Sequence, residues 1–116
     1  MISSWAVSGQ LNNITKAMVD CYKVVYGEDI VEIMLYGSYA RGNSTEDSDI
    51  DIVALVHGSR EDLQAKLKKI WDMSAELGLE NDVIVSPTVV PYDEYMKYKQ
   101  TLPYYRNIAE EGKKIG

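Results

Sequence analysis

Apolar residues at Leu11, Ile14, Met18, Cys21 and Val25 recur at alternating gaps of three and four. That spacing lines one face of an α-helix. Gly27 stands where the helix would stop. The pattern then changes: Ile30 to Tyr36 is rich in β-branched residues and ends at Gly37, and Ile50 to Val56 is a second such run. Both read as strands. Ser59 caps a helix over Arg60 to Leu77, with Asp62 placed to complete a capping box and Gly78 to end it. Leu63, Leu67, Ile70, Trp71 and Leu77 form its apolar face. Asp82 to Val90 reads as a third strand, and Pro87 within it predicts an edge position or a bulge, because proline offers no N–H to a ladder. One or two helices follow Pro91, with Pro103 at a start and Gly112 at a stop.

The predicted order is α-β-(short α)-β-α-β-α. Helices between strands argue an α/β (α+β) fold, a small mixed sheet with flanking helices. The link between the first two strands is too short for a parallel crossover, so an antiparallel pairing is expected there. At 116 residues the chain has the size of one domain, residues 1–116. It has room for a sheet and its covering helices, but not for a second domain to build an acceptor pocket.

Charge and composition narrow the partners. The formal net charge is −6, and the lysines (Lys66, Lys68 and Lys69; Lys97 and Lys99; Lys113 and Lys114) are scattered in a way that reads as solvated helix faces. A protein that holds nucleic acid carries a basic stripe against the phosphates, so a long polynucleotide is not the expected substrate. No apolar stretch approaches the ~20 residues of a membrane span. The start, Met1-Ile2-Ser3-Ser4-Trp5, lacks a signal peptide's basic and apolar regions. Cys21 is the only cysteine, so no internal disulfide forms, and a cytoplasmic location is the simplest expectation.

The chemistry concentrates in Leu35 to Val53. A strand ends at Gly37, and Ser38-Tyr39-Ala40-Arg41 can form a helical turn before Gly42. Free N–H groups at such a turn suit a phosphate, Gly37 lets the backbone approach it, and the Ser38 hydroxyl can donate a hydrogen bond. Asp49 and Asp51 flank Ile50 at the start of the next strand, so both carboxylates project to one face. Two such charges repel unless a cation sits between them, and an all-oxygen donor set favours Mg²⁺ or Mn²⁺ over zinc. Metal beside a phosphate cradle is the arrangement phosphoryl transfer needs, with two ions ~3.5–4 Å apart in the full form. Asp82 is the candidate third carboxylate and general base, with Glu80 as its competitor of the same strand parity. Arg41 can hold a phosphate or pair with Glu46, Asp47 or Asp49. His57 reads as a surface residue, Trp5 and Trp71 as packing residues, and the late tyrosines (Tyr92, Tyr95, Tyr98, Tyr104 and Tyr105) as a half-buried helix face, with an interface as the alternative.

Gly37-Ser38, ten intervening residues and then Asp49-x-Asp51 resembles the signature of the DNA polymerase β-type nucleotidyltransferase superfamily. The longer string GSYARGNSTEDSDIDIVAL is similar to its minimal nucleotidyltransferase (MNT) branch, and Tyr104-Tyr105-Arg106-Asn107-Ile108 with Glu111-Gly112 resembles the way such short proteins finish. The resemblance implies a polymerase β-like nucleotidyltransferase fold. It implies Mg²⁺ at Asp49, Asp51 and Asp82, and ATP held by Gly37 and Ser38. Asn81, a polar residue before Asp82, departs from the family's apolar context. The resemblance further implies a HEPN-domain toxin as partner, neutralised by transfer of AMP to a tyrosine hydroxyl.

Two other readings compete. A non-catalytic antitoxin would neutralise its partner by covering a surface. A small-molecule (antibiotic) nucleotidyltransferase would need a homodimer to build its acceptor pocket.

Overall fold

The structure, a computed structural model, describes residues 7–42 and 49–116; Trp5, Glu46 and Asp47 lie outside them. Helix α1 (Asn12–Tyr26) buries Ile14, Met18, Tyr22 and Tyr26, with Thr15 and Val19 beside them. Cys21 and Val25, expected on the buried stripe, are only partly covered. The helix is rotated because its two tyrosines are anchors. The Tyr22 hydroxyl donates to the Thr88 carbonyl at 2.8 Å, and that of Tyr26 to the Leu63 carbonyl at 2.7 Å. A buried phenol is stable only with such a partner. Gly27 closes α1 with φ 60°.

Strands β1 (Ile30–Tyr36) and β2 (Ile50–Val56) pair antiparallel, as the short link predicts. The one-turn helix α2 (Ser38–Arg41) follows β1, and α3 (Arg60–Asn81) carries the chain from β2 to β3 (Val85–Pro91), which runs parallel to β2. Helices α4 (Tyr92–Tyr98) and α5 (Pro103–Glu111) follow, and a short β4 (Lys113–Lys114) pairs with β1. The strand order is β3-β2-β1-β4, so Pro87 lies on an edge strand. No apolar alternation announces β4; Lys-Lys on an edge is what keeps such an edge from pairing further.

Side chains alternate across the sheet. Ile33, Leu35, Ile50, Ile52 and Ala54 pack with α1 and α3 on one face. Met34, Val53 and Leu55 pack with Val90, Tyr95, Tyr105 and Ile108 on the other. Central β2 is therefore buried on both faces, which explains its nearly unbroken apolar run. Each fully buried aliphatic side chain there contributes about 1.5–3 kcal/mol. Among the described residues, no helix is long and apolar enough to cross a membrane.

Three sequence expectations are corrected. Helix α3 does not stop at Gly78 but runs to Asn81. Gly78 serves a close approach instead: a Cβ there would meet the Val83 carbonyl oxygen at 2.6 Å. Strand β3 consequently starts at Val85 rather than Asp82. Trp71, expected to pack, is 48% exposed. The helix start is as read, with the Ser59 hydroxyl accepting from the Asp62 N–H at 3.2 Å. His57 is exposed and meets the edge of the Tyr92 ring. Tyr95 and Tyr105 are buried, Tyr92 and Tyr98 partly so.

Candidate active site

The site is built where β1 ends and β2 begins. Gly37 leaves β1 with φ 76° and ψ −153°, a backbone region that is essentially glycine's alone. Its carbonyl accepts from the Arg41 N–H at 3.1 Å, and Gly42, at φ 80°, ends α2 after a single turn. The Ser38 hydroxyl and the N–H groups of this turn are the local donors for a phosphate.

Asp49 is exposed and Asp51 half-buried, while Ile50 and Ile52 are buried against α1 and α3. The two carboxylates thus share the opposite face, the one that α4 and α5 cover further along the sheet. A Cβ on Gly37 would stand 2.5 Å from the Asp51 Oδ2 atom, so the glycine of the turn and the carboxylate of β2 are one unit. Burial, then the neighbouring Asp49 charge, raises the Asp51 carboxyl above its ordinary value, with Arg41 pulling it down. This pair of oxygen donors, only partly offset by Arg41, is what a hard divalent cation would relieve, so Mg²⁺ or Mn²⁺ fits the residues present.

Asp82 does not join the pair. It sits in a left-handed conformation (φ 55°) at the end of α3, exposed and three residues ahead of β3. Glu80 is likewise exposed, within α3. Among the described residues, no group of three or more His, Cys, Asp or Glu is arranged to hold a metal. The residue beside Asp51 across the β2–β3 pairing is Ser86, and its hydroxyl donates to Asp49 Oδ2 at 3.4 Å. The signal for Ser86 was present in the alternation: Val85, Pro87 and Val89 are buried, which leaves Ser86 and Thr88 on the side of the carboxylates.

Two further relationships escaped the sequence reading. Arg41 pairs with Glu111 of α5 at 3.0 Å, not with Asp49; Glu46 and Asp47 lie outside the described residues. Tyr36, opposite Asp51 in the β1–β2 register, has its hydroxyl 3.5 Å from that of Tyr104, with the rings edge to face. Burial and then Tyr104 raise the Tyr36 hydroxyl well above its ordinary value. It stays protonated at neutral pH. Tyr104 itself is 45% exposed at the rim.

The nucleotidyltransferase domain family matches residues 12–115, which include every residue of this site. A Methanocaldococcus jannaschii protein named for protein adenylyltransferase activity, MJ0604, is 35% identical over 98 residues, covering 84% of this chain and 90% of its own. A second from that organism, MJ1305, named likewise, is 32% identical over 88 residues, or 75% of this chain and 60% of its own. A solved structure described as a minimal nucleotidyltransferase superposes with a TM-score of 0.58 at 20% identity, over 91% of this chain and 93% of its own. A toxin–antitoxin structure with AMP-PNP gives 0.54 at 17% identity, over 86% and 70%. At these identities the two structures speak for the fold alone. The chain belongs to the nucleotidyltransferase domain family and is a nucleotidyltransferase.

Proposed function

We propose that this nucleotidyltransferase transfers AMP from ATP to a tyrosine hydroxyl of a HEPN-domain partner protein, and so acts as the cytoplasmic antitoxin of a pair. The observation that carries the reading is the pairing of Asp49 and Asp51 on one face with Gly37 packed against Asp51. Relatives named for protein adenylyltransferase activity support a protein acceptor, and a toxin–antitoxin neighbour of the same fold supports a toxin partner; the tyrosine and the HEPN domain are what the sequence resemblance implies.

The acceptor oxygen forms a bond to the α-phosphorus as the bond to pyrophosphate breaks, and the hydroxyl proton is released. Asp49 and Asp51 would hold Mg²⁺, which supplies charge neutralisation for the triphosphate. The Gly37–Ser38 turn binds and orients the phosphates, with the Ser38 hydroxyl as a donor. Arg41, at the rim and held by Glu111, adds positive charge where the triphosphate lies. Asp82, exposed at the end of α3, is assigned no part in this reading.

The test is the intact mass of the partner after incubation with ATP and Mg²⁺. A gain of AMP on tyrosine, lost with the Asp49→Asn/Asp51→Asn double variant while that variant still unfolds in a cooperative transition, is the expected result. A partner that binds tightly but never gains mass would sink the reading. That outcome would favour the non-catalytic antitoxin, which the presence of Ser86 in place of a third carboxylate independently suggests.

A further inference from the structure

Ser86 occupies the one position on β3 that stands beside Asp51 in register and reaches Asp49 with a hydrogen bond. A carboxylate there would put three charged oxygen donors at this end of the face among the described residues; the serine leaves two and a neutral hydroxyl. The difference decides how many cations the site can hold. An ion bound together with a nucleotide draws most of its ligands from the triphosphate and needs only one or two carboxylates from the protein. An ion placed on the acceptor side has no phosphate cluster to lean on. It depends on protein charge, and a serine hydroxyl is a weak neutral ligand.

We infer that this site holds one divalent ion per bound nucleotide rather than two, and that Ser86 is the residue that sets this number. The inference rests on the metal-dependent reading of the site given above. Its chemical consequence concerns the acceptor. With the β3 position neutral, the chain offers no carboxylate beside Asp51 on that strand to take the hydroxyl proton. Among the described residues no third carboxylate joins the pair, so the base is assigned to the acceptor protein, which makes transfer depend on the partner's own surface around its tyrosine.

Mn²⁺ counted by electron paramagnetic resonance tests this without any turnover. The protein is titrated with Mn²⁺ in the presence of saturating α,β-methylene-ATP, whose α–β bridge blocks adenylyl transfer. Wild type and Ser86→Ala should each take up one ion per chain. Ser86→Asp, checked for an intact melting transition, should take up a second. Two ions in wild type overturn the inference whether or not the aspartate variant folds. One ion in both wild type and a folded Ser86→Asp variant removes Ser86 as the determinant and overturns it as well. No nucleotide-dependent uptake in wild type would instead bring down the metal-dependent reading and the inference with it.

Discussion

The Asp51 carboxylate occupies the space beside Gly37, with Oδ2 2.5 Å from where a Cβ on that glycine would stand. Gly37 also holds φ 76°, so a side chain there meets both a strained backbone and a displaced carboxylate. The strain alone costs about 1–3 kcal/mol. Gly37→Ala should therefore lower the melting temperature and abolish transfer. Gly42→Ala is the control. Gly42 is also left-handed, but no atom of the described residues lies within 4 Å of its would-be Cβ, so that variant should lose about 1–2 kcal/mol and keep transfer. Equal activity in the two variants would refute the steric coupling of Gly37 to Asp51.

The two carboxylates give the metal-free protein a distinctive pH dependence. Burial and Asp49 raise the Asp51 carboxyl, so between its ordinary and raised values the folded state keeps a proton that the unfolded chain has released. Stability then falls as pH rises through that window. With chelator present, Asp51→Asn should flatten that fall and melt above wild type at neutral pH. Mg²⁺ with ATP should reverse the ranking, because only wild type gains from the ligand. A variant that melts at or below wild type in chelator at every pH contradicts this.

Arg41 is exposed, Glu111 is half-buried, and the two are 3.0 Å apart, a surface pair worth less than ~1 kcal/mol to the fold. Removing either charge should leave the melting temperature nearly unchanged. If Arg41 serves the phosphates, Arg41→Ala should weaken ATP binding about tenfold, the effect of one charged hydrogen bond. Glu111→Gln should not weaken it. Calorimetric titration of ATP into both variants separates a structural pair from a nucleotide contact.

Tyr22 is fully buried and ties α1 to β3 through the Thr88 carbonyl at 2.8 Å. Tyr22→Phe removes the donor and keeps the ring. The expected cost is about 1 kcal/mol, a drop of roughly 4–8 °C in melting temperature for a domain of this size. An unchanged transition would mean that the hydroxyl adds nothing beyond ring packing.

What could be read without a structure was what is local. Strand parity puts Asp49 and Asp51 on one face, the run from Tyr36 to Gly42 spells out a strand, a turn and a stop, and Pro87 marks an edge position or a bulge. Each of these depends on neighbours within a few residues, where the pleat and the dihedral limits act directly. The third position of the site does not. Whether Asp82 or Ser86 stands beside Asp51 depends on how far α3 runs beyond Gly78 and on the register of a parallel pairing 35 residues apart in the chain (Asp51 with Ser86). The partner of Arg41 is likewise a residue of α5, 70 positions away. Sequence alone therefore determined the carboxylate pair, its glycine turn and the kind of fold. Only the tertiary structure decided what completes them, because periodicity fixes the face a side chain takes on its own element but carries no information on where two distant elements meet.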